Sequence, residues 1–159
     1  MRVTIVDTLR AFSLLVKREF GEYPTTKDIH EGFARPCSFV QPILIEADKS
    51  GTLITDQYSI QIIRFATKSE TGYLELLQWQ ETLREALEDP VAVYTAPSED
   101  TPPQETDFLL YPENVSFEIN REDMALIVTF TIDNAQVGDD AEETAAELMQ
   151  NLEIELDTN

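Results

Sequence analysis

The sequence predicts an α+β fold: an antiparallel sheet of about four to five strands in two hairpins, two helices packed on one face, and an acidic C-terminal helix. Three observations predict it. Apolar residues recur at helical spacing in two separate segments. Two pairs of strand-like runs are each joined by a short polar turn. The order is helix, hairpin, helix, then further strands, which suits an antiparallel sheet covered by helices. At 159 residues the chain is long enough for one core. We divide it into a single domain over residues 1–138 and an acidic segment over 139–159.

The first helix ends at Phe20. Ile5, Leu9, Phe12, Val16 and Phe20 follow spacings of four, three, four and four, which places them on one stripe. Lys17 and Arg18 suit the negative end of the helix dipole, and Gly21 is a natural stop. Residues 22–26 read as a short edge strand broken by Pro24. Residues 27–36 are irregular, with Gly32 free to take unusual backbone angles and Pro36 biasing Arg35 away from the helical region.

From Cys37 to Ala47 the apolar residues Phe39, Val40, Ile43, Leu44 and Ile45 read as a strand buried on both faces. Pro42 argues for an edge position or a bulge within it. Asp48-Lys49-Ser50-Gly51 is the turn. The next strand alternates Tyr58, Ile60 and Ile62 with Gln57, Ser59 and Gln61. Together they make a hairpin with long arms.

The second helix starts near Ser69, a candidate N-cap, and runs to about Glu88, with Pro90 ending it. Tyr73, Leu76, Leu77, Leu83 and Leu87 lie on its buried side. Val91 to Tyr94 is a short strand. Ala96 to Asp107 reads as a loop with three prolines, four acids and no base. That is long for a connection inside a domain. Two alternating runs then form a second hairpin, one with Val115, Phe117 and Ile119, the other with Leu126, Val128, Phe130 and Ile132; Asn120–Asp123 is their turn. Asp139 to Asn159 carries eight acids and no base, and Ala141, Ala145, Leu148, Met149 and Leu152 have helical spacing.

The formal net charge is −20. Such a surface repels nucleic-acid phosphates and anionic membranes, so neither is an expected partner by charge. No run approaches the roughly 18 apolar residues of a membrane span, and no signal peptide is visible at the start. One cysteine, Cys37, allows no intrachain disulfide; in an apolar strand it reads as a buried thiol rather than a nucleophile.

Site chemistry is sparse. The single histidine, His30, has no identifiable partner for acid–base work and reads as a loop residue. There is no nucleophile elbow, no glycine-rich phosphate loop and no zinc spacing. Asp133, Asp139 and Asp140 lack the calcium-loop pattern. We therefore expect no catalytic residues, no metal and no cofactor. Trp79 reads either as core packing at a helix edge or as a subunit contact, since Trp is favoured at interface hot spots.

One stretch carries a resemblance. A helix ends in Phe20. Tyr23-Pro24, Gly32-Phe33 and Arg35-Pro36-Cys37-Ser38-Phe39 follow, then a long hairpin holding Tyr58-Ser59-Ile60 and a helix with Leu83 and Leu87. Over residues 5–132 this resembles the tail terminator, or tail completion, family of long-tailed bacteriophages and related prophages. The chain departs from that pattern in its acidic, proline-rich loop 96–107 and its acidic C-terminal segment.

The resemblance implies a virion structural protein and not an enzyme. It implies a homo-oligomeric ring, usually a hexamer in that family, on the head-proximal end of the tail tube. Such a ring stops tube polymerisation and joins the head connector. The implied partners are other copies, the tube protein and the connector; the implied place is the virion tail, after assembly in the host cytoplasm. The hairpin over 39–65 is the candidate arm, and Phe33, Arg35, Trp79, Lys49 and Tyr58 are the candidate interface residues. The negative charge would let DNA pass the lumen unbound, or would simply keep the protein soluble. A different class also fits the charge: an acidic DNA mimic that inhibits a nucleic-acid-binding enzyme.

Overall fold

The computed structural model describes residues 2–25 and 32–137. Eight elements follow in order: α1 (Ile5–Phe20), β1 (Cys37–Ser50), β2 (Leu53–Phe65), α2 (Gly72–Ala86), β3 (Val91–Tyr94), β4 (Glu105–Leu110), β5 (Glu113–Asn120) and β6 (Ala125–Val137). Four strands form an antiparallel sheet in the order β1-β2-β6-β5, and β3 pairs with β4 in a small second sheet. The α+β class, the two helices and both hairpins are as the sequence predicts. His30 and the acidic helix after Asp139 lie outside the described residues.

Period-two alternation sorts the sheet into two faces. Tyr58, Ile60 and Ile62 of β2 pair with Ile132, Phe130 and Val128 of β6. All six are buried. The helices and the small sheet cover this face, and Leu76, Leu83, Val93 and Leu110 join its core. From α1, Phe12 meets Phe130 at 4.9 Å between ring centroids. The predicted stripe is displaced by one position: Leu9 is only half-buried, while Thr8, Ala11 and Leu15 are buried beside Phe12 and Val16.

The N-terminus is fixed at both levels. Thr4 caps α1 in a reciprocal capping box with Asp7. Ahead of it, the buried Val3 backbone is held by one side chain of β6. Val3 N–H donates to Gln136 Oε1 at 2.7 Å, and Gln136 Nε2 donates to Val3 O at 2.8 Å. At the other end of α1, Gly21 adopts φ 84°, and its N–H donates to Lys17 O.

Several local expectations are corrected. Residues 22–25 form no strand; Thr25 donates one backbone bond to Ser38 O. The hairpin turn is Gly51-Thr52 rather than 48–51, with Gly51 at φ 62°. Ser69 is not the cap of α2: Thr71 holds that place without a side-chain bond, and the two hydroxyls lie 3.2 Å apart. Leu77 faces solvent. The supposed loop 96–107 ends early because Glu105 begins β4, where Val91 pairs with Leu110. Four acids and three prolines masked a strand whose inward residues are few.

The largest correction concerns β1. Phe39 is buried, but Ile43, Leu44 and Ile45 are 61%, 47% and 53% exposed. The strand is terminal in the sheet, as Pro42 suggests, and a bulge falls between Leu44 and Glu46. Among the described residues, no helix or strand covers these apolar side chains.

Candidate assembly surfaces

The five candidate interface residues fall into three settings. Phe33 and Arg35 belong to a cover over the open face of the sheet. Phe33 packs against Phe65 and Phe39 with centroids 4.4 and 5.3 Å apart. Arg35 stacks beside Phe33 and Phe65, and its Nη1 donates to Ala66 O at 3.0 Å and Asp123 O at 2.7 Å. The Arg35 guanidinium therefore ties the 32–36 segment to the ends of both hairpins through its Nη1.

Trp79 sits in a second cluster built around a buried arginine. Arg64, at the end of β2, is 4% exposed. Its guanidinium lies between the Phe20 and Trp79 rings, 4.2 and 4.3 Å from their centroids. Nη1 donates to Ser38 Oγ at 2.7 Å, and Glu22 lies 3.8 Å from Nη2. Nε is buried without a partner. Burial disfavours the charged form and lowers the Arg64 pKa, against a smaller opposing pull from Glu22. Two aromatic faces, a hydroxyl and the more distant Glu22 carboxylate thus surround the buried cation. The cluster joins both helices to both strands of the hairpin. The alternation of β2 makes position 64 inward-facing, so this residue was legible as a buried charge, but its aromatic partners were not.

Tyr58 and Lys49 occupy the hairpin itself. Tyr58 is 2% exposed, and its hydroxyl donates to Asp56 Oδ2 at 3.2 Å. Burial, with the Asp56 carboxylate adding to it, raises the Tyr58 pKa above its ordinary 10.0. Lys49 is exposed near the hairpin tip and is the only cation between residues 37 and 63. Elsewhere in the same hairpin Ile43, Leu44, Ile45 and Leu53 expose apolar surface. The sheet thus presents a terminal strand with uncovered apolar side chains, which is a template for pairing with another chain.

The sheet face opposite the helices is different. Gln57, Ser59 and Gln61 of β2 line up with Asp133, Thr131 and Thr129 of β6, and Ser116 and Glu118 of β5 lie beside them. Residues 53–63, 113–120 and 125–137 contain no Lys or Arg. The middle of this face in β2, β5 and β6 carries hydroxyls, amides and carboxylates; at its base Ile63, Phe65 and Ile127 lie with Phe33 and Arg35.

Nothing in these surfaces assembles a reaction centre. Burial raises the Cys37 pKa, outweighing the opposing effect of Arg35 and Arg64, so the side chain is a thiol near neutral pH. Among the described residues, no three His, Cys, Asp or Glu side chains come together as a metal-binding group. No described helix is long and apolar enough to cross a membrane.

A family model described as phage tail terminator protein matches residues 4–133. The chain belongs to the phage tail terminator family. The match spans both hairpins and both helices, from the cap of α1 to within β6. No curated protein sequence matches the chain significantly. Membership makes this terminator-family chain a structural protein of the phage tail rather than one of an enzyme family. The described core, from Val3 to Ile132, lies almost wholly inside the matched span.

Proposed function

We propose that this protein caps the head-proximal end of the tail tube as a ring of six copies, that it stops tube polymerisation, and that it offers the surface to which the head connector joins. The observation that carries the reading is the uncovered distal half of β1. A terminal strand of 14 residues with Ile43, Leu44 and Ile45 exposed is unfavourable in an isolated chain. A neighbouring copy would remove that surface from water. In a ring each copy meets its neighbours through two different patches, so the hairpin of one copy docks on a non-identical surface of the next. Lys49 at the tip would meet an acidic neighbour, since each copy carries a net charge of −20.

The stretch of the open sheet face formed by Gln57, Ser59, Gln61, Thr129, Thr131 and Asp133, which holds no Lys or Arg, supports a lumenal role. DNA passing such a stretch meets no Lys or Arg there to neutralise its phosphates and displace their counterions, so there is no binding term to hold it. Phe33, Arg35, Trp79 and Tyr58 then act at one remove, by holding the hairpin rigid against the core.

Native mass spectrometry, with negative-stain electron microscopy of the same sample, tests the reading. A closed ring of defined copy number, formed alone or on purified tail tubes, is expected. A protein that stays monomeric under both conditions contradicts it.

A further inference from the structure

A second surface lies on the other side of the molecule. A cleft of about 890 Å³ opens between the C-terminal half of α1, the end of α2 and the β3–β4 sheet. Its floor is apolar: Ala11, Leu15 and Val91 are buried there, and Leu14 and Leu109 remain within reach of solvent. Leu109 is 40% exposed and Tyr23, on the rim, 58%. The rim carries four carboxylates, Glu19, Glu85, Asp89 and Glu105, against one cation, Arg18. Arg18 is already paired with Glu19 at 3.1 Å.

We propose that this cleft docks a basic, apolar-anchored segment of a different protein, in which Leu-like side chains fill the floor and Lys or Arg side chains meet Glu85, Asp89 and Glu105. Charge selects the occupant. The chain's own residues 139–159 hold eight acids and no base, so the rim repels them. The hairpin of a second copy offers one cation, Lys49, against Glu46, Asp48 and Asp56, so its charge is disfavoured at this rim. Nucleic acid is repelled outright. A cationic segment gains on both counts, because the rim steers it in and the floor supplies the apolar contact. Tyr23 and Tyr94 add aromatic faces that accept cations, as Tyr23 already does with Lys17 Nζ, 4.9 Å from its ring centroid. None of these residues belongs to the β1–β2 hairpin.

The test uses the full chain and a fluorescein-labelled amphipathic peptide of Lys and Leu, followed by anisotropy. Glu85→Lys, Asp89→Lys and Glu105→Lys combined should weaken binding by more than about tenfold. Glu113→Lys, Glu118→Lys and Asp133→Lys combined alter net charge equally on the opposite sheet, and should weaken it by less than about threefold. A peptide with Ser in place of Leu should bind at least about tenfold more weakly. Equal loss in the two triple variants, or equal binding of the two peptides, overturns the proposal. Chemical-shift changes in the unaltered protein give a second readout that needs no variant to fold. They should centre on Leu14, Tyr94 and Leu109; changes centred on the open sheet face overturn the proposal as well.

Discussion

Ile43→Lys combined with Ile45→Lys separates assembly from folding. Both side chains are more than half exposed in the single chain, at 61% and 53%. A Lys stem retains much of the covered half while its ammonium stays in water, so the monomer loses little. An interface is affected differently. Fully burying an Ile contributes about 1.5–3 kcal/mol, so burying the exposed half contributes about 1 kcal/mol for each side chain. Losing both removes about 2 kcal/mol per contact between copies, about thirtyfold in the dissociation constant. Two ammonium groups that must be desolvated add to this. Every copy in a ring has two such contacts, so the loss compounds. The oligomer fraction is read by native mass spectrometry, alone and with tail tubes, and the fold by thermal circular dichroism. A folded double variant with the parent's mass distribution refutes the reasoning, because the exposed strand would then play no part in assembly.

Other predictions concern the frame that carries the hairpin. Arg64→Ala removes a group stacked on two rings and bonded to Ser38, and leaves a cavity between them; a loss of about 3–5 kcal/mol in urea unfolding is expected. Arg64→Met fills the same space without a buried charge and should recover most of that loss. Gly72→Ala should cost about 1–3 kcal/mol, because a Cβ there would meet Thr67 O at 2.6 Å and a backbone atom cannot easily give way; an unchanged melting temperature would deny that contact. The raised values of Cys37 and Tyr58 fix the sign of an alkaline effect. Both groups hold their protons more tightly when folded, so their stabilisation is complete below the ordinary values of 9.0 and 10.0 and is lost as pH rises through the folded ones. The melting temperature should fall above about pH 9, and Tyr58→Phe should flatten that fall.

How much of this was legible in the sequence follows from what each element buries. β2 and β6 sit in the middle of the sheet with one face on the core, so their alternation is clean and Tyr58, Ile60, Ile62, Val128 and Phe130 read correctly. β1 has as many apolar residues, but composition cannot say whether a neighbour covers them. Ile43, Leu44 and Ile45 were expected inside and stand outside. β4 was lost because it pairs only with a four-residue strand and alternates exposed acids with half-buried Thr106 and Phe108. The Thr4–Asp7 capping box was available from the spacing of a Thr and an acid ahead of an apolar run. Arg35 illustrates the limit at the candidate site. Its position in the motif is visible in the sequence, but its bonds to Ala66 O and Asp123 O bring together segments 31 and 88 residues away. Only the pairing of the two hairpins reveals that.

The most direct test of the central claim is tail length, measured by electron microscopy in particles assembled without this protein. A terminator that stops polymerisation predicts tubes of uncontrolled length, restored to one length when the protein is supplied and not when the Ile43→Lys, Ile45→Lys variant is. Tails of uniform, normal length in its absence would contradict the account.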